Sequence, residues 1–281
     1  MARLGRKKKT RPAAPAARRR RDPRFNTALA RGLAILRAFE LSDLYLGNTE
    51  LAERTRIPKP TISRLTYTLA ELGYLKYRED IGQYELAAGV LALGYPYLGR
   101  MLVPTVARPH MLELAKAMGV NVGLGIQEGL EVVYLEYALG EAHMNPRQRV
   151  GFRLPLARTA TGRACIAAMH AEEQDKILAQ IRQANLKDWP VLRQQIDDAI
   201  SQVRRTGYCM VIGTYNSMTN TVAAPFPHPD GRQILAFNCG GHAQLHPPEK
   251  LAKAGERLLQ LVRTVSRALI DAPAAAAAGR R

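Results

Sequence analysis

Residues 49–86 constrain the fold of this chain more than any other segment. They read TELAERTRIPKPTISRLTYTLAELGYLKYREDIGQYEL, a short helical pattern, a proline turn, a longer amphipathic helical pattern and two short alternating segments. This order predicts a winged helix-turn-helix, whose second helix enters the DNA major groove. The 281 residues leave room for a second domain. A second domain attached to a DNA-binding domain is most simply explained as a sensor of a signal.

Apolar spacing and proline positions outline the three helices of this first domain. We expect the first helix over residues 27–41, because apolar side chains recur there at three- and four-residue steps. The stripe expected to be buried comprises Leu29, Leu33, Leu36 and Phe39. Asn48 or Thr49 offers a side-chain oxygen to cap the second helix, and Pro60 suits the first turn of the third.

The third helix has an apolar side and, near its start, a polar and basic side. The predicted DNA-contacting residues on it are Lys59, Thr61, Ser63, Arg64 and Tyr67, which can hydrogen-bond a phosphate or a base edge. Residues 74–86 read as a hairpin turning at Gly82, and we expect its Lys76 and Arg78 beside the groove. The alternative is a helical bundle with a solvated polar face, which requires prolines, cap, polar face and hairpin to coincide by accident.

Positive charge is concentrated at the N-terminus. Residues 1–21 contain ten Lys and Arg and no acidic residue, out of a net charge of +17. Residues 25–85 contain eight basic and eight acidic side chains. This domain therefore has no net charge, and its affinity for DNA depends on where individual basic side chains lie. We expect residues 1–24 to be a disordered basic arm. One interpretation is a flexible clamp on DNA. The other is a solubilising tail or a wrongly assigned translation start. Residues 272–281 read as a disordered Ala-rich tail.

The rest of the chain predicts an α+β domain, joined to the winged helix-turn-helix of residues 25–86 by a linker helix. The linker covers residues 87–100, and Pro96 should kink or end its helix. Residues 101–271 contain helical patterns, a hairpin pattern about Glu128-Gly129, and three strand-like runs between residues 208 and 239. This mixture favours one mostly antiparallel sheet packed with helices.

Patterns that would indicate catalysis, a metal or a cofactor are weak. His242 and His246 have the spacing of metal ligands only on a helix, and prolines follow at once, so loop histidines are the better interpretation. Gly123-x-Gly125 lacks the third glycine of a dinucleotide site, and Cys165 lies in a small-residue helix, where it suits packing. We therefore expect no catalytic residue, no metal, no cofactor and no enzymatic activity.

Cysteine use and hydropathy indicate the compartment. Three isolated cysteines are too few for a disulfide framework and favour a reducing cytoplasm. No apolar run follows the N-terminal charges, as a secretory signal requires, and no stretch of 18 apolar residues could span a membrane. We expect a cytoplasmic protein without a membrane partner.

A helix start near residue 160 is the best candidate for a small-molecule site. Thr159 can act as its N-cap, and the small residues Ala160, Thr161 and Gly162 leave first-turn N–H groups open to an anion. Five arginines lie between Arg147 and Arg163 with no acidic residue among them. A carboxylate would fit, and the alternative is a tightly packed helix start on a basic surface.

The chain resembles the IclR-type transcriptional regulators in four segments that follow the family's order. These are LARGLAILRAF, IPKPTISRLTYTLAELGYL, GFRLPLARTATGRACIAAM and GYCMVIGTYNSMTNTVAAPFPHPDGRQILAFNCGGH, and the resemblance covers residues 26–270. It implies a GAF-like C-terminal domain that binds small organic acids, and assembly as a dimer or a dimer of dimers. It also implies that Thr61, Ser63 and Arg64 contact DNA, and that Ala160, Thr161 and Gly162 roof the effector pocket.

Four positions depart from the pocket residues that the resemblance implies. Val211 begins a run where many members are acidic, and Thr221 stands where Cys is frequent. Phe237 and Cys239 replace two serines that are frequent on the following strand. These differences imply a less polar pocket that favours a larger, aromatic carboxylate.

The resulting hypothesis is a cytoplasmic transcription factor that binds a pseudo-palindromic DNA operator as a homo-oligomer. A small carboxylate effector would modulate this binding. Two alternatives belong to other classes of protein. One is a small-molecule enzyme or sensor that uses its N-terminal domain for assembly, and the other is a nonspecific DNA binder acting through the basic arm.

Overall fold

The computed structural model describes residues 23–140, 148–228, 231 and 233–271. The chain divides into two compact units, with the boundary between Arg100 and Met101. Most of the predicted basic arm and all of the predicted Ala-rich tail lie outside the described residues. Within the described part of the chain, no helix has the length and apolar character needed to cross a bilayer.

The N-terminal unit is a winged helix-turn-helix followed by one more helix. Its elements are α1 (Thr27–Arg37), α2 (Asn48–Thr55), α3 (Lys59–Glu71), β1 (Leu75–Arg78), β2 (Gln83–Leu86) and α4 (Gly89–Leu98). β1 and β2 pair antiparallel, and Gly82 turns between them with a φ of +65°, which confirms the predicted wing. The core of this unit lies between its first three helices and the wing, around Ile35, Leu51, Ile62 and Leu75.

The predicted apolar stripe on α1 is wrong in its first half. Leu29 and Leu33 are 64% and 43% exposed, whereas Gly32 and Ile35 are buried. The helix also ends at Arg37 instead of continuing to residue 41. Because α1 is apolar on more than one side, two stripes satisfy the helical spacing, and packing against α2 and α3 selects the one that contains Ile35.

Two further local predictions need correction. α2 has Gly47 as its N-cap, and the Glu50 carboxylate accepts the Gly47 N–H at 2.9 Å, so neither Asn48 nor Thr49 caps the helix. α4 continues through Pro96 to Leu98, so Pro96 does not end the helix, and a kink there stays a prediction. The Gly99 N–H still donates to the Tyr95 carbonyl, so the helix tolerates the loss of the one N–H that proline lacks.

The C-terminal unit is built on a six-stranded antiparallel sheet, in agreement with the predicted α+β class. Its elements are α5 (Leu102–Met118), β3 (Asn121–Glu128), β4 (Glu131–Ala138), β5 (Arg153–Pro155), α6 (Ala160–Ala168), α7 (Ala171–Ala184), α8 (Trp189–Thr206), β6 (Cys209–Ile212), β7 (Thr219–Pro227), β8 (Ile234–His242) and α9 (Pro248–Asp271). The strand order is β5-β4-β3-β8-β7-β6. Among the strands that the structure describes, sequence analysis missed the short β5, because three residues are too few to show an alternating pattern.

The two faces of the sheet pack against different helices. Ala223 and Ala236 join the core that contains α6, α7 and α8. Side chains alternate along a strand, so Phe226 and Phe237 lie on the opposite face, where they meet edge to face at 5.4 Å. α5 and α9 pack on that opposite face. The α6 face is therefore where the predicted effector site must be sought.

Candidate DNA-binding surface and effector site

The outer side of α3 is exposed and basic near its start. Lys59, Ser63, Arg64 and Tyr67 are exposed, and Thr61 is half-buried. Ile62, Thr66 and Leu69 form the buried side of the same helix. Among the residues that the structure describes, no carboxylate lies within 4.0 Å of Lys59 or Arg64, so both cations are available to an anionic partner.

A side-chain network holds α3 against α2. The Thr66 hydroxyl contacts the Ile62 carbonyl at 3.0 Å and the Asn48 Oδ1 at 3.4 Å. The Asn48 Nδ2 donates to the Ser63 Oγ at 3.2 Å, so Ser63 is already engaged within the unit. Sequence analysis assigned Asn48 to a cap and missed this role. It also missed the exposed Arg56, which lies in the turn before α3 with a φ of +58°.

The two predicted wing cations differ in how strongly they are held. Arg78 donates to both Asp80 carboxylate oxygens, at 3.1 and 3.0 Å, and to the Tyr45 hydroxyl at 3.1 Å. Lys76 lies 3.7 Å from a Glu85 oxygen and its side chain is largely exposed. Lys76 can therefore reorient toward a phosphate at lower cost than Arg78, whose ion pair must first be broken.

Tight local packing shapes the start of α6. The Thr159 side chain accepts the Gly162 N–H at 3.2 Å, which confirms Thr159 as the N-cap and occupies one of the N–H groups proposed for an anion. A Cβ added at Gly162 would lie 1.9 Å from the Leu156 carbonyl oxygen. Gly162 thus serves close packing, whereas the Thr161 side chain points at the sheet, beside Gly125.

A buried polar cluster lies on the sheet where Thr161 points. The Asn238 Nδ2 donates to the Tyr134 hydroxyl at 3.1 Å, and Thr161 lies close to that hydroxyl. Burial raises the pKa of Tyr134 above its ordinary value, so its hydroxyl stays protonated. Asn238 is only 6% exposed, and its Oδ1 has no hydrogen-bond partner among the described residues. A Cβ at Gly123 would lie 2.4 Å from that oxygen, so the glycine makes room for it.

The strand pairing separates two of the predicted pocket residues from the others. Phe237 pairs with Ala224 and Cys239 with Val222, and both lie on the face of the sheet away from α6. Asn238, one residue along, faces α6 instead. Val211 pairs with Thr221, which in turn pairs with Gly240, and this places Val211 and Thr221 on the same face as Asn238. The predicted set therefore combines residues from both faces of the sheet, and it did not include Tyr134 or Asn238 of the α6 face.

Three of the arginines near α6 have partners away from the polar cluster that Thr161 contacts. Arg153 pairs with Glu131, and Arg158 pairs with Asp188. The Arg163 Nε donates to the Ala157 carbonyl at 2.9 Å, on another side of the helix from Thr161. Arg147 lies outside the described residues.

The two histidines considered as metal ligands occupy different environments. His242 is the last residue of β8, and His246 is buried in the turn before α9. The described ranges contain no group of three or more His, Cys, Asp or Glu side chains that could hold a metal ion.

Two family models match most of the chain. The model described as "Bacterial transcriptional regulator IclR C-terminal" matches residues 95–267, and the "IclR helix-turn-helix domain" matches residues 28–79. Among characterised relatives, the HTH-type transcriptional regulator TsaQ1/TsaQ2 of Comamonas testosteroni is 34% identical over 85% of this chain and 86% of its own. The Pca regulon regulatory protein of Pseudomonas putida is 29% identical over 79% of this chain and 76% of its own.

Solved structures give the same result. An IclR family transcriptional regulator from Brucella abortus superposes with a TM-score of 0.77 at 42% identity, covering 88% of this chain and 94% of the other. An IclR homologue from Microbacterium hydrocarbonoxydans, complexed with 4-hydroxybenzoate, has a TM-score of 0.66 at 21% identity. It covers 85% of this chain and 97% of its own, a likeness that concerns the fold alone.

Proposed function

Because this chain belongs to the IclR family of bacterial transcriptional regulators, we propose that it binds a pseudo-palindromic operator as a homo-oligomer in the cytoplasm. A small aromatic carboxylate, bound on the α6 face of the C-terminal sheet, modulates that binding. The observation that carries the DNA-binding part is the outer side of α3, where Lys59 and Arg64 are exposed and have no acidic partner among the described residues.

Exposed apolar side chains on the N-terminal unit support assembly with a second copy. α4 has no buried residue, and its Leu91, Leu93 and Tyr95 are all more than half exposed. Leu29 and Leu33 add a second apolar surface on α1. Apolar surface of this kind is typical of an interface, and a symmetric dimer presents two recognition helices to two half-sites.

A footprint on DNA upstream of the gene and its neighbours, with excess random DNA as competitor, tests the operator proposal. We expect a protected site with two half-sites about 10 base pairs apart, because that spacing returns the major groove to the same side of the duplex. Uniform coating that disappears at modest salt would instead favour nonspecific binding through the basic arm. A protein that ignores DNA altogether, with and without candidate acids, would favour the assembly-module alternative.

The buried cluster on the α6 face supports an aromatic acid that also carries a hydrogen-bond donor. Asn238 Oδ1 is an unused acceptor, and leaving a buried acceptor unpaired costs about 1–3 kcal/mol. A ligand hydroxyl donating to it would remove that cost. Val211, on the same face of the sheet, supplies apolar surface for a ring, and the start of α6 favours a negative group. The 4-hydroxybenzoate in the Microbacterium homologue has this combination of groups.

Thermal unfolding with a panel of acids tests this effector class. We expect 4-hydroxybenzoate to stabilise the chain more than benzoate does, and both more than glyoxylate. A ligand at about a hundred times its Kd adds about 2.7 kcal/mol to the free energy of unfolding. Asn238→Ala should remove most of the difference between 4-hydroxybenzoate and benzoate, because the donor loses its acceptor.

Cys239→Ala is the matched control for this panel. Cys239 neighbours Asn238 in the chain but faces the other side of the sheet, so its truncation should leave the ligand ranking unchanged. Equal stabilisation by aromatic and two-carbon acids would contradict the proposal, and so would an Asn238→Ala variant that still prefers the hydroxylated acid.

A further inference from the structure

A cavity of about 300 Å³, which we name the α6–α8 cavity, lies between the start of α6 and α8. Three of its lining side chains are basic, Arg158, Arg163 and Lys187, and one is acidic, Asp188. Val191, Leu192 and Gln195 of α8, together with Thr214, complete the lining. The lining therefore carries a net charge of two positive units, and none of it belongs to the polar cluster of Tyr134, Thr161 and Asn238.

Arg163 is the centre of this arrangement. It is only 4% exposed, its Nε donates to the Ala157 carbonyl at 2.9 Å, and its Nη2 donates to the Gln195 Oε1. No carboxylate of the described residues forms an ion pair with it. Burial lowers the pKa of Arg163 and the nearby Arg158 charge lowers it further, so the protein holds this cation at a cost.

The surroundings of the other two cations, Arg158 and Lys187, leave no free acidic group of the described residues to neutralise Arg163. The Arg158 Nη2 lies 2.6 Å from an Asp188 oxygen, and this ion pair consumes the one acidic group in the lining. Lys187 is exposed and has no acidic partner within 4.0 Å among the described residues. A guanidinium presents a planar fork of N–H donors that matches a carboxylate or a phosphate, and the ammonium adds a second point of attachment.

The α6–α8 cavity is separate from the effector site proposed above. Thr161 and Arg163 are two residues apart on a helix, so their side chains point about 200° away from each other. Thr161 contacts the sheet at Gly125, whereas Arg163 contacts α8 at Gln195. A ligand in one site therefore leaves the residues of the other site free.

We propose that the α6–α8 cavity binds a small dianion, a dicarboxylate or a phosphate group, through Arg163 and Lys187. Two negative charges balance the net charge of the lining, and one anionic group is received by the N–H groups of Arg163 that Ala157 and Gln195 do not use. This second site allows the C-terminal unit to respond to an anion other than the aromatic acid.

Calorimetric titration of the full chain with inorganic phosphate, and separately with succinate, tests the proposal. Ionic strength is held constant and the pH is mildly alkaline, so that both probes are dianions. We expect saturable binding of at least one probe, weakened roughly tenfold or more by Lys187→Ala and by Arg163→Met, because each variant removes one charged hydrogen-bond donor. Lys176→Ala removes another exposed lysine, outside the cavity, and should leave the affinity unchanged.

Each outcome decides the proposal. Binding of phosphate alone or of succinate alone supports it and identifies the source of the dianion. Binding of neither probe overturns it, as does binding that survives Lys187→Ala, a surface change that leaves folding intact. Asn238→Ala must leave the titration unchanged, and a loss of binding in that variant would assign the anion to the effector site. Because no DNA is present, failure of this proposal is distinguishable from failure of the operator proposal.

Discussion

Replacing Gly162 with alanine is expected to lower the free energy of unfolding of the C-terminal unit by about 3 kcal/mol or more. The added Cβ would lie 1.9 Å from the Leu156 carbonyl oxygen, and the obstacle is backbone, which cannot rotate away as a side chain can. Leu156 is fully buried, and its N–H donates to the Leu130 carbonyl at 3.0 Å. The Thr159 hydroxyl donates to the Pro155 carbonyl at 3.0 Å and fixes the same segment from the other side.

Fluorescence of Trp189 reports this loss of stability in the C-terminal unit, where Gly162 lies. Trp189 is the only tryptophan of the chain, and it packs on the core of the C-terminal unit at the start of α8. We expect its thermal transition to fall by roughly 6–12 °C in Gly162→Ala. Gly32→Ala is the control, because no atom beyond its own turns of α1 lies within 4 Å of a Cβ there and the φ of this α1 residue suits alanine. An unchanged Trp189 transition in Gly162→Ala would contradict the steric argument.

Features that depend on one or two neighbouring residues could be predicted from the sequence. The turn at Gly82 needs a positive φ, which glycine adopts without strain, and the structure has it. The N-cap at Thr159 follows from a hydroxyl three residues before an N–H that needs an acceptor. Such signals located the wing and the start of α6 because the physical cause lies within the segment itself.

Features that depend on distant partners could not be predicted in this way. A strand alternates with a period of two, so the predicted Phe237 and Cys239 lie on the face of the sheet opposite to Asn238 and α6. The residues that set this register, Gly123 and Tyr134, lie more than a hundred positions away in the chain. On α1, likewise, spacing could not decide between Leu33 and Ile35, because both stripes satisfy it and only packing excludes one.

Replacing Arg64 with alanine is expected to weaken operator binding by about 1–3 kcal/mol, or roughly 5- to 150-fold in Kd. Arg64 is exposed on the outer side of α3 and makes no ion pair within the described residues, so its loss should barely affect folding. Fluorescence anisotropy with the footprinted operator and with a random duplex separates two causes. A larger loss on the operator assigns Arg64 to a base edge, whereas equal losses on both assign it to a phosphate.

Two further variants separate the geometry of Arg64 from its charge. Arg205→Ala removes one exposed positive charge from the end of α8, in the other unit, and should leave both affinities unchanged. Arg64→Lys keeps the charge but lacks the planar fork that contacts guanine with two hydrogen bonds. If Arg64 contacts a base, the lysine variant should behave like alanine on the operator and like the wild type on random DNA. A lysine variant that restores operator binding fully would show that charge alone acts at this position, and α3 would then position the protein without specifying the sequence.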